Sequence, residues 1–234
     1  MTTLQLPAQA APDAQNKASP EPFLAPWATL DELKRFLAHT VEPLNALVIN
    51  YDRAAMVTAL QGFFHVFKAH KSWTDRAAEI SEKPALQAYF KKFATSAQEK
   101  SLALAASESL AALGQKKAPP IPAGFGDFSK YWLRVGFANE LEFIGALYFI
   151  DGISKALSDE LLSSAKKLKF KEKELAFFKA FVLSGQDQAS LDRTYQMREI
   201  VTEFSTTSRE RIFSGAREAA KLFKCFLNPA GSKH

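Results

Sequence analysis

The sequence predicts an all-α protein, a compact bundle of about seven helices. Long stretches carry apolar side chains at the 3.6-residue period, glycine and proline are sparse after residue 26 and gather at a few places, and no segment alternates as a strand would. Helices of unequal length joined by short turns fit a bundle better than a solenoid or a coiled coil.

Thr29 with Glu32 three residues on forms a capping-box pattern, so the first helix is expected to run toward His39 and to be limited by Pro43. Asp52 can cap the second, where Met56, Leu60, Phe63 and Phe67 make one apolar face. A third helical region follows Pro84 through Leu86, Tyr89, Phe90 and Phe93 to Leu110 and Leu113, closing at Gly114 as a left-handed cap. The segment KKAPPIPAGFGD reads as a loop. Asp127 or Ser129 opens a long helix from Tyr131 to near Lys155, and Ser158 caps a shorter one with Asp159 and Glu160 in its first turn. Helices from near Glu172 to Leu183 and from Ala189 to Phe226 complete the set. Residues 1–26, rich in Ala, Pro and Gln, are expected to be a disordered leader, and 27–234 a single helical domain.

With 47% hydrophobic and 12% aromatic residues, 20 of them Phe, the 234-residue chain can bury a large core without staples. Cys225 stands alone between Phe223 and Phe226, so it forms no internal disulfide and reads as a packed residue. No basic and apolar leader pattern is present, and no apolar run is long enough to span a bilayer; a cytoplasmic protein is expected. The charge of +5 raises nucleic acid as a partner. The excess gathers at Lys166, Lys167, Lys169, Lys171 and Lys173, while Lys91 and Lys92 lie near Glu82 and Glu99. No basic stripe is interleaved with stacking aromatics, so nucleic acid is not expected, and the lysine cluster is either solvated surface or a patch for an anion or acidic partner.

Within the helix expected over 131–155, Glu140 and Asp151 are eleven residues apart, about 20° from alignment, and share a face with Phe137, Ile144 and Tyr148. If that face points inward, both carboxylates lie in an apolar cavity as proton donors or ligand anchors, with Trp132 and Tyr195 as further lining. The alternative is pairing with Arg134, Arg193 or Arg198, which implies no chemistry. Glu142 falls on the opposite side of Glu140. His65 and His70 are about 140° apart on their helix, too divergent to share a metal; His70 fits as a core-edge residue beside Phe63 and Phe67, and His65 as packing.

Four segments, in order, are HTVEPLNALVINYDRAAMVTALQGFFHVFKAH, QEKSLALAASESLAALG, ALYFIDGISKALSDELL and ELAFFKAFVLSGQDQ. Together they resemble the haem-oxygenase-like helical superfamily, which includes haem oxygenases, thiaminase-like proteins, a quinone-cofactor oxidase and non-haem di-iron oxidases. In the di-iron branch the helix resembling ALYFIDGIS carries a Glu ligand, and the later one carries His, Asp four residues on and His three further. Here those positions hold Asp151, then Phe181, Gly185 and Gln188, with Asp187 one residue out of register and, upstream, Glu99 without a histidine. Iron affinity needs several deprotonated ligands together, so the resemblance implies the scaffold without the usual di-iron chemistry.

The function this implies is that of a pseudoenzyme: a binding or accessory protein for a small apolar molecule or another protein, with Phe137, Ile144, Phe181 and Gln188 as ligand contacts and a homodimer compatible with it. An oxidoreductase or other enzyme of the same scaffold, using Glu140 and Asp151 as acid and base and Tyr148 to position substrate, is the alternative; Cys225 does not match the thiaminase nucleophile. The haem branch adds a further alternative, with His39 as proximal ligand and Gly152, four residues before Ala156, as the point of close approach. No cofactor is therefore the expectation, with haem and iron as the alternatives.

Overall fold

The computed structural model describes residues 26–94, 97–115, 119–185, 195–197, 199–200 and 205–228. Of the expected leader, residues 1–26, all but Pro26 lie outside them, and Pro26 opens the first helix. Among the described residues there is helix and no strand. The helices are α1 (Pro26–Ile49), α2 (Arg53–Ile80), α3 (Pro84–Ala94), α4 (Ala97–Ala112), α5 (Phe125–Ala138), α6 (Glu140–Lys167), α7 (Ala176–Gly185) and α8 (Thr206–Leu227), with a 3-10 turn at Glu172–Leu175 before α7.

Two 28-residue helices, α2 and α6, organise the bundle. Around α2 pack α3, α4 and α5; around α6 pack α1, α5, α7 and α8; α4 against α7 and α5 against α8 join the two groups. Phe63 of α2 is the hub. Its ring lies 5.5 Å from Phe177 and 5.3 Å from Phe181 of α7, and 6.0 Å and 5.8 Å from Phe223 and Phe226 of α8. These offset and edge-on contacts are the preferred geometries of aromatic pairs, and they turn the phenylalanine-rich composition into a closed core. A second layer stacks Trp73 on Trp132 at 5.4 Å, with Phe143 and Phe90 edge-on beyond.

Between α6 and α8 the backbones themselves approach closely. A Cβ on Gly145 would lie 1.8 Å from the Ile212 carbonyl oxygen, and one on Gly215 would lie 2.0 Å from that of Glu142. The pairs 145 with 212 and 142 with 215 run in opposite senses, so the helices are antiparallel with their backbones in direct contact. The Tyr131 hydroxyl donates to the Gly215 carbonyl at 2.9 Å and fastens α5 to the crossing. Tyr51 does the same at the end of α8, donating to the Leu227 carbonyl at 2.6 Å. Burial raises both phenols, so each stays a donor.

Several boundaries differ from expectation. Pro43 lies inside α1. The amide it lacks would have bonded the carbonyl of His39, an exposed residue, so no buried acceptor is orphaned, while Leu33, Leu44 and Val48 anchor both halves in the core. The helical region after Pro84 comprises α3 and α4, with residues 95–96 between them outside the described set. The long helix expected to start at Tyr131 is broken at Asn139 instead. Asn139 leaves the helical conformation, ends α5, and caps α6 by accepting from the Glu142 amide at 3.2 Å. Ser158 is consequently buried mid-helix, bonded to the Lys155 carbonyl at 3.1 Å, and starts nothing. Of the last expected helix, 195–197, 199–200 and α8 are helical and Ser205 leaves the helical conformation ahead of α8; residues 189–194, 198 and 201–204 lie outside the described set.

Asp52 caps α2 as expected, accepting from the Ala55 amide at 2.7 Å. Gly114 adopts φ +84 and lets the Gln115 amide reach the Leu110 carbonyl at 2.9 Å. The end of α6 repeats this motif with a lysine: Lys169 has φ +59, and the Phe170 amide reaches the Ala165 carbonyl at 3.1 Å.

Candidate functional site

Glu140 and Asp151 both fall on α6, at opposite ends of its first three turns. Eleven residues at 1.5 Å rise separate them by about 16 Å along the axis, too far to act on one small substrate. Glu140 accepts from the Ser81 hydroxyl at 2.5 Å and so joins the start of α6 to the end of α2. Asp151 is paired with Lys155 at 3.3 Å, one turn on, with both side chains partly exposed. The pairing with arginine falls to Glu142, 3.5 Å from Arg134 of α5; Arg193 and Arg198 lie outside the described residues.

Tyr148 sits on the seam between α6 and α1. Burial first, then the Asp151 and Asp31 carboxylates, push its phenol up to about 12. It is therefore a neutral hydrogen-bond donor at ordinary pH and no base. Trp132 is in the core against Trp73, whereas Tyr195 is exposed, so the two do not line one cavity.

Of the four proposed ligand contacts, the three that are described, Phe137, Ile144 and Phe181, do not converge. The break at Asn139 separates Phe137 from α6; the ring is 52% exposed on α5 with the Arg76 guanidinium 4.7 Å from its centre. Ile144 is fully buried, and Phe181 is closed in by Phe63, Phe67 and Phe177. Gln188 lies outside the described residues, as does Asp187. Gly185 is the last residue of α7. Among the described residues no group of three or more His, Cys, Asp or Glu is placed to hold a metal ion. His70 is buried beside Phe93, and His65 faces the Pro119 carbonyl at 3.1 Å, each serving packing. Cys225 is half-buried.

Haem does not fit these residues. A Cβ on Gly152 would lie 2.3 Å from Leu37 Cδ2, so the space this glycine opens is filled by α1 itself. His39, two residues from Leu37, is about 200° around that helix and exposed.

No protein-family model matches the chain, and no curated protein matches it.

The corner that carries the lysine cluster gathers charge, a groove and a rigid frame. Glu174, 6% exposed, accepts from Arg53 Nη2 at 2.8 Å and from the Lys171 amide at 2.8 Å. Arg53 also donates to the Leu168 carbonyl at 3.3 Å and lies 4.2 Å from the centre of the Phe170 ring. Ser109 of α4 accepts the Phe177 amide at 2.9 Å, satisfying one of the free donors at the start of α7. Between these elements runs an open groove of about 630 Å³, lined by the apolar Val57, Ala112 and Leu113 and by Arg53, Thr58 and Glu174. The sequence signal was the lysine-rich junction with a glutamate three residues after Lys171; what it lacked was Arg53, more than a hundred residues away.

Burial opposes ionisation of Glu174, but the Lys171 amide and Arg53 outweigh it and hold the carboxyl below its ordinary value of 4.5. Because the folded value is the lower one, the stabilisation is complete above pH 4.5 and is lost as the pH falls through the folded value. Glu174→Gln is expected to cost about 2 kcal/mol at neutral pH. Urea titrations across the acid range check this, since the gap between variant and parent must close on acidification.

No described helix is long and apolar enough to cross a membrane.

Proposed function

We propose that the chain is a binding or accessory domain on a haem-oxygenase-like scaffold, working through its surface rather than through a bound metal. The observation that carries this is Phe181. It stands where the resemblance expects the first imidazole ligand, it is 1% exposed, and its ring lies 5.2–5.9 Å from those of Phe177, Phe63 and Phe67. A site for iron needs several anionic or imidazole donors and room for exchangeable ligands, and this volume is filled with hydrocarbon.

The same packing favours a protein partner over a small apolar ligand. A small molecule gains affinity by burying most of its surface in a concavity, and the Phe63 cluster is occupied by its own rings. The described grooves are open to solvent and suit an extended or helical segment of another chain.

Iron content tests the reading. After anaerobic incubation with ferrous iron and desalting, elemental analysis is expected to find far less than one iron per chain, with the unfolding temperature unchanged. Stoichiometric iron that raises the unfolding temperature, and that is lost in Asp151→Ala, would overturn it.

A further inference from the structure

We infer that the corner between the start of α2, the end of α4 and the turn before α7 docks an acidic segment of a partner protein, with apolar side chains in the groove and carboxylates against the lysines. The inference rests on the reading that the protein works through its surface.

Charge is the first ground. From residue 166 to 179 the chain carries six lysines and two glutamates. Both glutamates are already engaged, Glu174 by Arg53 and Glu172 by Lys179. Lys166, Lys167, Lys169 and Lys173 are exposed and have no carboxylate within ion-pair distance among the described residues. Lys166 and Lys167 also suit the negative end of the α6 dipole, which accounts for those two but not for the lysines beyond the helix. Asp52, beside Arg53, is occupied in capping α2.

Shape is the second and independent ground. The groove of about 630 Å³ abuts the lysine turn through Glu174, which lines it and accepts from the Lys171 amide. The apolar part of its lining, Val57, Ala112 and Leu113, is open to solvent, which offers side-chain anchoring to a chain held in place by flanking charges. The frame is preorganised: Arg53 grips Leu168, Glu174 and Phe170 together, and Phe170 is buried. Rigid presentation lowers the ordering cost of binding.

The occupant is favoured to be peptide rather than nucleic acid or membrane. The described residues of the turn expose no aromatic ring on which a base could stack, Phe170 being buried under Arg53. A bilayer surface would meet the lysines but could not enter the groove.

Fluorescence anisotropy of the full chain with a fluorescein-labelled peptide, a central Leu–Leu pair flanked by glutamates, tests the inference. Saturable binding that weakens with salt is expected, and the peptide with Gln for Glu should bind about tenfold more weakly. Ala112→Trp fills the groove from an exposed position and should also cost about tenfold. Lys169→Gly removes one charge while relieving the left-handed strain, so it should raise the unfolding temperature and yet weaken binding about threefold. Absent saturable binding, affinity indifferent to Ala112→Trp, or equal binding of duplex DNA or phosphatidylserine vesicles would each overturn it. Failure here with iron still excluded sinks only the docking corner; stoichiometric iron sinks the reading beneath it.

Discussion

Gly215→Ala is expected to destabilise the protein by about 4 kcal/mol, against the roughly 1 kcal/mol gain that glycine-to-alanine substitution brings inside an ordinary helix. The sign reverses because the added carbon would lie 2.0 Å from the Glu142 carbonyl oxygen and 2.7 Å from its Cα. Those are backbone atoms, so no side chain can swing aside; α6 and α8 must separate along the crossing and give up the packing on either side. Gly145→Ala meets Ile212 in the same way, 1.8 Å from its carbonyl oxygen. Since either change opens the same crossing, the double variant should lose less than the sum of the two. Gly126→Ala in α5 is the control, because nothing lies within 4 Å of its added carbon and it should be neutral or slightly stabilising. Urea unfolding followed by circular dichroism measures all four, and a neutral Gly215→Ala would contradict the close crossing.

Phe63→Ala should cost a comparable amount, about 4 kcal/mol, from lost burial and the cavity left behind. The ring is 2% exposed and touches Phe67, Phe177, Phe181, Phe223 and Phe226, so three helices lose a shared contact at once. Collapse around the hole is restricted because those rings also pack on one another, Phe177 on Phe181 at 5.2 Å and Phe223 on Phe226 at 5.3 Å. Leu104→Ala, on the outer face of α4 and 62% exposed, should change stability by less than about 0.5 kcal/mol. Near-ultraviolet circular dichroism and thermal melts distinguish the two variants, and equal losses would show that the aromatic cluster is not the centre of the core.

The continuous face expected from Phe137 to Asp151 is interrupted by a local feature. Asn139 can be read as a mid-helix residue or as a cap, and the apolar period runs through it in either reading. Once it breaks the chain, Phe137 leaves the face it was expected to share with Ile144 and Tyr148, and the proposed cavity loses a wall. Gly152 shows a different limit. A glycine in a helix signals close approach, but the sequence does not say of what, and here the approaching group is Leu37. Arg53 and Glu174 meet across 121 positions, and no spacing rule reaches that far.

The all-helical class, the α2 cap at Asp52 and the left-handed stop at Gly114 were legible in the chain alone, because each depends on periodicity or on one residue's own conformational preference. Tertiary structure decided where the long helix breaks, which glycines are crossings, and which charges are spent in structural pairs and which stay exposed. Those outcomes depend on what lies opposite each residue, and an antiparallel crossing such as Gly145 with Ile212 joins positions that no local pattern connects.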